Sequence, residues 1–125
     1  MRRVLALVTL IALALGACTK VSKQQTSIVY KLDCTPGFEA LKAKIVATPG
    51  IVQAPKNPGE PYEWYNTADQ TMSYVITEPG APGHPAILMQ VAAGGREMTM
   101  GCPYGDQKGY AKVLAYVESL KATHK

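Results

Sequence analysis

The spacing of apolar and polar residues changes period several times along the chain, and each change marks an element. In "SIVYKLDC", residues 27–34, Ile28, Tyr30 and Leu32 share a face with Cys34, which predicts a half-buried strand. Thr35-Pro36 then predicts a helix start, a hydroxyl cap followed by proline at the first helical position. Phe38, Leu41 and Ile45 continue at helical spacing, and Pro49-Gly50 ends the run. Residues 53–61, "QAPKNPGEP", read as a proline-rich loop. "YEWYN" and "QTMSYVIT" predict a hairpin turning around Thr67 to Asp69, with Met72, Tyr74 and Ile76 on one face. "EPGAPGHP", residues 78–85, is too rich in proline and glycine to continue a sheet. "AILMQVAA" and "REMTMGC" flank Gly94-Gly95, a two-residue hairpin signal, and Met98 and Met100 share parity with Cys102. Asp106 then caps a helix whose stripe is Tyr110, Val113, Leu114, Val117 and Leu120. The order β-α-β-β-β-β-α predicts a two-layer α+β domain over residues 27–125. Its antiparallel sheet has about four to five strands, with two helices packed on one face.

The N-terminus follows a different logic. Arg2 and Arg3 precede an apolar run from Val4 to Ala17, interrupted only by Thr9. That run is shorter than the ~20 residues needed to cross a bilayer, and Lys20 and Lys23 close it off. It has the build of an export signal. Leu15-Gly16-Ala17-Cys18 resembles the lipobox of bacterial lipoprotein precursors. The resemblance implies a signal peptide over residues 1–17, cleaved before Cys18, and a diacylglycerol thioether with further acylation, commonly palmitate, at Cys18. It also implies a membrane partner reached through the lipid, with residues 18–26 as a short lipidated tether. Two or more acyl chains give stable attachment at ~0.8 kcal/mol per buried CH₂. Thr19 stands where lipoproteins retained on the inner membrane carry Asp, so the resemblance implies the outer membrane, with the domain facing the periplasm.

Loss of the leader changes the charge count, and lipidation of Cys18 would change the number of thiols left to pair. Without Arg2 and Arg3, the 13 basic residues fall to 11 against 9 acidic ones, a net of +2. The remaining lysines are scattered, and no basic stripe with interleaved aromatics supports a nucleic-acid partner. If Cys18 carries lipid, Cys34 and Cys102 remain in an oxidising compartment, where a disulfide is the default and two reactive thiols the alternative.

Candidate chemistry is sparse. "GCPYG", residues 101–105, is similar to the CPYC site of glutaredoxin-like proteins, but Gly105 stands where the second thiol belongs. His84 with Met72, Met89, Met98 and Met100 offers soft ligands for Cu(I), yet His84 and the terminal His124 have no second histidine near them, and no metal site or cofactor is assigned. Glu60, Glu63, Asp69 and Glu78 lie in or beside turns, and no catalytic residue is assigned. The C-terminal Lys125 resembles the peptidoglycan-linked end of murein lipoprotein, but the proline-rich mixed structure departs from that helical coil. The tract "TEPGAPGHPAILMQV" with "GCPYGD" is similar to small bacterial lipoproteins of uncharacterised activity. Binding is the better supported role. Tyr62, Trp64 and Tyr65 crowd a segment beside the proline-rich loop, with His84 in a second semi-rigid loop. The expectation is a lipid-anchored accessory subunit of an envelope assembly, or an inhibitor or immunity-type protein, with an envelope protein as partner. The competing class is a small periplasmic enzyme or metal carrier.

Overall fold

The computed structural model describes residues 30–93 and 95–121, so the leader, Cys18, the tether, His124 and Lys125 lie outside the described residues. Helix α1 (Phe38–Val46) is followed by five strands, β1 (Val52–Gln53), β2 (Tyr62–Asn66), β3 (Met72–Thr77), β4 (Ala86–Ala93) and β5 (Arg96–Pro103), and then by helix α2 (Gln107–Lys121). The strands form one antiparallel sheet in sequence order, β1-β2-β3-β4-β5. The α+β class, the antiparallel sheet, the two helices and the disulfide are as expected. No helix among the described residues is long and apolar enough to cross a membrane.

The register divides the sheet's side chains into two faces. On one face, Ile76, Ile87 and Cys102 form a row across β3, β4 and β5. Leu41 and Ile45 of α1 cover it, with Tyr65 in the same cluster. On the other face Trp64, Val75 and Leu88 align, under Val113 and Val117 of α2. Each helix thus makes its own helix-on-sheet layer, and the two layers share one sheet, where the sequence pattern had grouped both helices together. Val75, Ile76, Ile87, Leu88, Val113 and Val117 are fully inaccessible. Each such side chain contributes about 1.5–3 kcal/mol relative to exposure.

Three elements differ from the sequence expectation. Residues 30–34 form no strand. Leu32 and Cys34 instead pack against the α1-side cluster, and Cys34 is bonded to Cys102 with Cα atoms 5.4 Å apart. The inward alternation was real, but the segment lies against a face instead of joining an edge. The helix start is also displaced. The Thr35 hydroxyl donates to Asp33 Oδ1 at 2.7 Å, Pro36 sits in a turn, and Gly37, at φ 90°, is the N-cap of α1. The third is a short β1 at the start of the proline-rich stretch, which pairs Val52 with Asn66 and Gln53 with Tyr65.

Three other signals behave as read. Ala93 pairs with Arg96, so β4 and β5 join as a hairpin where one was expected. Asp106 caps α2, its Oδ2 accepting from the Gly109 N–H at 2.7 Å. The β2–β3 turn is organised by Asp69, whose Oδ1 accepts from the Thr67 hydroxyl at 2.6 Å, the Thr71 N–H at 3.1 Å and the Thr71 hydroxyl at 2.8 Å. These bonds, Thr67 first, hold the Asp69 carboxyl below its ordinary range.

Candidate functional site

The α2 face of the sheet is only partly covered. Where α2 ends, the strands turn polar together. Asn66 of β2, Ser73 of β3, Gln90 of β4 and Thr99 of β5 occupy one register row. One row further in stands Trp64, half-buried, packed on one side against the α2 cluster and open on the other to two cavities.

The first cavity, about 350 Å³, lies between Trp64, the proline-rich loop (Ala54, Pro55, Asn57) and α2 (Tyr116, Leu120). The second, about 260 Å³, shares Trp64, Asn66 and Leu120 with it and reaches Gln90 and Lys121. A third, about 660 Å³, shares Asn66, Ser73 and Glu97 and opens toward the β2–β3 turn. The shared residues make the three one continuous trough, with Asn66 common to all.

Its walls are fixed from several sides. The Ala54 N–H donates to the Trp64 carbonyl at 2.8 Å, which seats the proline-rich loop on β2. Lys56 Nζ meets Glu78 Oε2 at 2.6 Å and ties the same loop to the end of β3. On the helix side the Tyr116 ring stacks on Tyr62, centroids 5.4 Å apart and planes 20° from parallel. The Tyr116 hydroxyl donates to Glu60 Oε1 at 2.7 Å, while Asn57 Nδ2 donates to Glu60 Oε2 at 3.2 Å. Both carboxylate oxygens are therefore held by neutral donors. The bond to Glu60, with burial second, pushes the Tyr116 phenol up to about 12. On the floor, the Ser73 hydroxyl donates to Asn66 Oδ1 at 2.7 Å, which leaves the Asn66 amide NH₂ as the available donor.

The four residues expected to bind are not brought together. Tyr62 is buried beneath Tyr116 and supports the trough without lining it. Tyr65 lies on the opposite face, buried near α1, where the adjoining Lys42 Nζ pairs with Glu63 Oε2 at 3.1 Å. His84 packs edge-on against Phe38 at 5.3 Å, with Nδ1 2.9 Å from the Thr77 hydroxyl. Of the four, only Trp64 lines the trough. The residues that complete it, Asn66, Ser73, Gln90 and Tyr116, carry no sequence motif. The one signal for Asn66, Ser73 and Gln90 is that each strand turns from apolar to polar at the same end of one face, and this is visible only once the register is known.

The methionines gather elsewhere. Met72 and Met98 flank Val91 in one row of the α1 face, and Met89 pairs with Met100 in the next. His84 is not among them. Among the described residues, no three His, Cys, Asp or Glu side chains assemble a group able to hold a metal ion. No family model, curated protein or solved structure matches this chain.

Proposed function

We propose that the chain is a lipid-anchored envelope protein, attached at the outer membrane through Cys18, that acts by non-enzymatic binding. It serves as an accessory subunit of an envelope assembly or as an inhibitor or immunity-type protein, and Trp64 is its principal contact. The address is supported by the lipobox-like Leu15-Gly16-Ala17-Cys18 after a short apolar leader. The binding role is supported by a single observation. A half-buried tryptophan forms the base of a trough whose walls are already hydrogen-bonded and stacked in place. Burying such a ring at a preformed site yields much of the energy of an interface at little ordering cost.

Affinity recovery of the full chain from detergent-solubilised envelopes tests the binding role. Native protein should retain partner material that Trp64→Ala loses, and equal recovery overturns it. Metabolic palmitate labelling tests the anchor. Label should appear on native chain and vanish in Cys18→Ser, and label persisting in that variant overturns attachment at this residue.

A further inference from the structure

The chemistry lining the trough narrows the ligand. An anionic ligand is disfavoured because Glu60 and Glu97 are both on the lining. Among the described residues its one ammonium, Lys121, is engaged by Glu118 at 3.1 Å. A wholly apolar ligand would strand the Asn66 NH₂ and the Gln90 amide away from water. A polyproline segment wants several parallel aromatic ridges. Here Trp64 stands as the one indole, and the Tyr116 hydroxyl is already spent on Glu60.

What fits is a ligand with flat C–H faces and many neutral hydroxyls. An aromatic ring takes the apolar face of such a group through its electron-rich surface. Planar amides and carboxylates bridge adjacent hydroxyls because each presents two polar atoms side by side. The trough supplies both along one line. Trp64 is the platform, the amides of Asn66 on β2 and Gln90 on β4 lie beyond it on either side of Ser73, and Glu97 follows on β5. Resting on the binding role above, the geometry points to an uncharged pyranose chain as the ligand, an oligosaccharide laid along the trough with one ring on Trp64.

Trp64 is the only tryptophan of the chain, so its emission reports this site alone. The full chain in detergent is titrated with a β-1,4-linked N-acetylglucosamine tetramer and, in parallel, with a cello-oligosaccharide, a polyanionic polysaccharide and a decaproline peptide. A saturable emission change is expected with a neutral sugar. Response to the acetamido chain alone assigns the ligand to amino-sugar polymers, and response to both assigns it to neutral pyranoses generally. By calorimetry, Trp64→Ala should weaken binding at least tenfold, Gln90→Ala severalfold, and Trp64→Phe less than Trp64→Ala. The inference is overturned if neither neutral sugar binds, if decaproline or the polyanion binds in their place, or if Trp64→Ala and Gln90→Ala bind sugar as native does. If the sugars fail while Trp64→Ala still abolishes envelope recovery, the ligand class falls and the binding role stands. If both assays fail, both readings fall.

Discussion

Substituting Gly109 by alanine sets two opposed effects against each other at one atom. In an exposed helix interior the change gains about 1 kcal/mol, because alanine loses less backbone entropy on folding. Gly109 is buried, however, where α2 meets the 78–85 loop. An added Cβ would lie 2.1 Å from the Gly83 nitrogen and 2.6 Å from its Cα. Both atoms are backbone, so no side chain can swing aside. The loop cannot retreat freely either. Gly83 sits at φ 68°, the His84 N–H donates to the Ala81 carbonyl at 3.2 Å, and the His84 ring is held against Thr77 at 2.9 Å. Relief requires a movement of roughly 1 Å that breaks part of this set. Overpacking of this kind costs about 3 kcal/mol, so Gly109→Ala should destabilise by about 2 kcal/mol net. For a domain of this size that lowers Tm by roughly 8–16 °C. Urea unfolding followed through Trp64 emission measures it, with exposed Lys108→Ala as a control near zero. A Gly109→Ala protein as stable as native, or more so, would refute the backbone-contact argument.

Other expectations follow from particular bonds. Removing both Cys34 and Cys102 as alanines opens a closure spanning 68 residues and should cost about 4 kcal/mol on a chain-entropy basis, read as the midpoint difference between native and variant in urea. Thr77 is buried, and its hydroxyl oxygen accepts from the Ala86 N–H at 2.8 Å. Thr77→Val should therefore cost about 1–3 kcal/mol by leaving that donor without a partner, whereas Thr77→Ser should retain most of it. The Tyr116 phenol at about 12 lies above its ordinary value of 10.0, so the folded chain holds this proton more tightly than the unfolded chain does. The resulting stability is complete below about pH 10 and is lost as pH rises through about 12. Glu60→Gln should move the Tyr116 titration back down, measured by ultraviolet absorbance of the phenolate, and an unmoved titration would refute the assigned cause. Protonating Asp69, held low by Thr67 and Thr71, should loosen the β2–β3 turn as pH falls through its depressed value, visible as faster amide exchange at Thr71.

Most elements were legible because their signals are local. Asp106 three residues before Gly109, the glycine pair at 94–95 and the stripe through Val113 and Val117 each fix an element with little outside help. The exceptions are places where tertiary contacts override a local pattern. "SIVYKLDC" has the alternation of a strand, but Leu32 and Cys34 are drawn onto the sheet face by the α1 cluster and the disulfide. Thr35-Pro36 has the composition of a helix start, but Asp33 takes the Thr35 hydroxyl and shifts the cap to Gly37. β1 has only two residues, too few to carry a period. The trough was hidden for a related reason. Trp64 was visible as an aromatic near a proline-rich loop, whereas Asn66, Ser73 and Gln90 become neighbours only when three strands are laid in register. Tyr62 and Tyr65 looked like partners of Trp64 by proximity in the chain, yet strand alternation sends Tyr65 to the other face.

The bond between Cys34 and Cys102 also sets a mechanical path. Tension applied from the N-terminal side of the molecule reaches Cys34 before it reaches α1, and crosses there to β5. The load then enters β5, whose eight residues are laddered to β4. Helix α1, the loop behind it and Trp64 on β2 lie outside that line of force, whereas Gln90 and Glu97 of the trough lie on the loaded pair. While this sulfur bridge remains closed, a pull from that side bypasses α1 and the strand that carries Trp64.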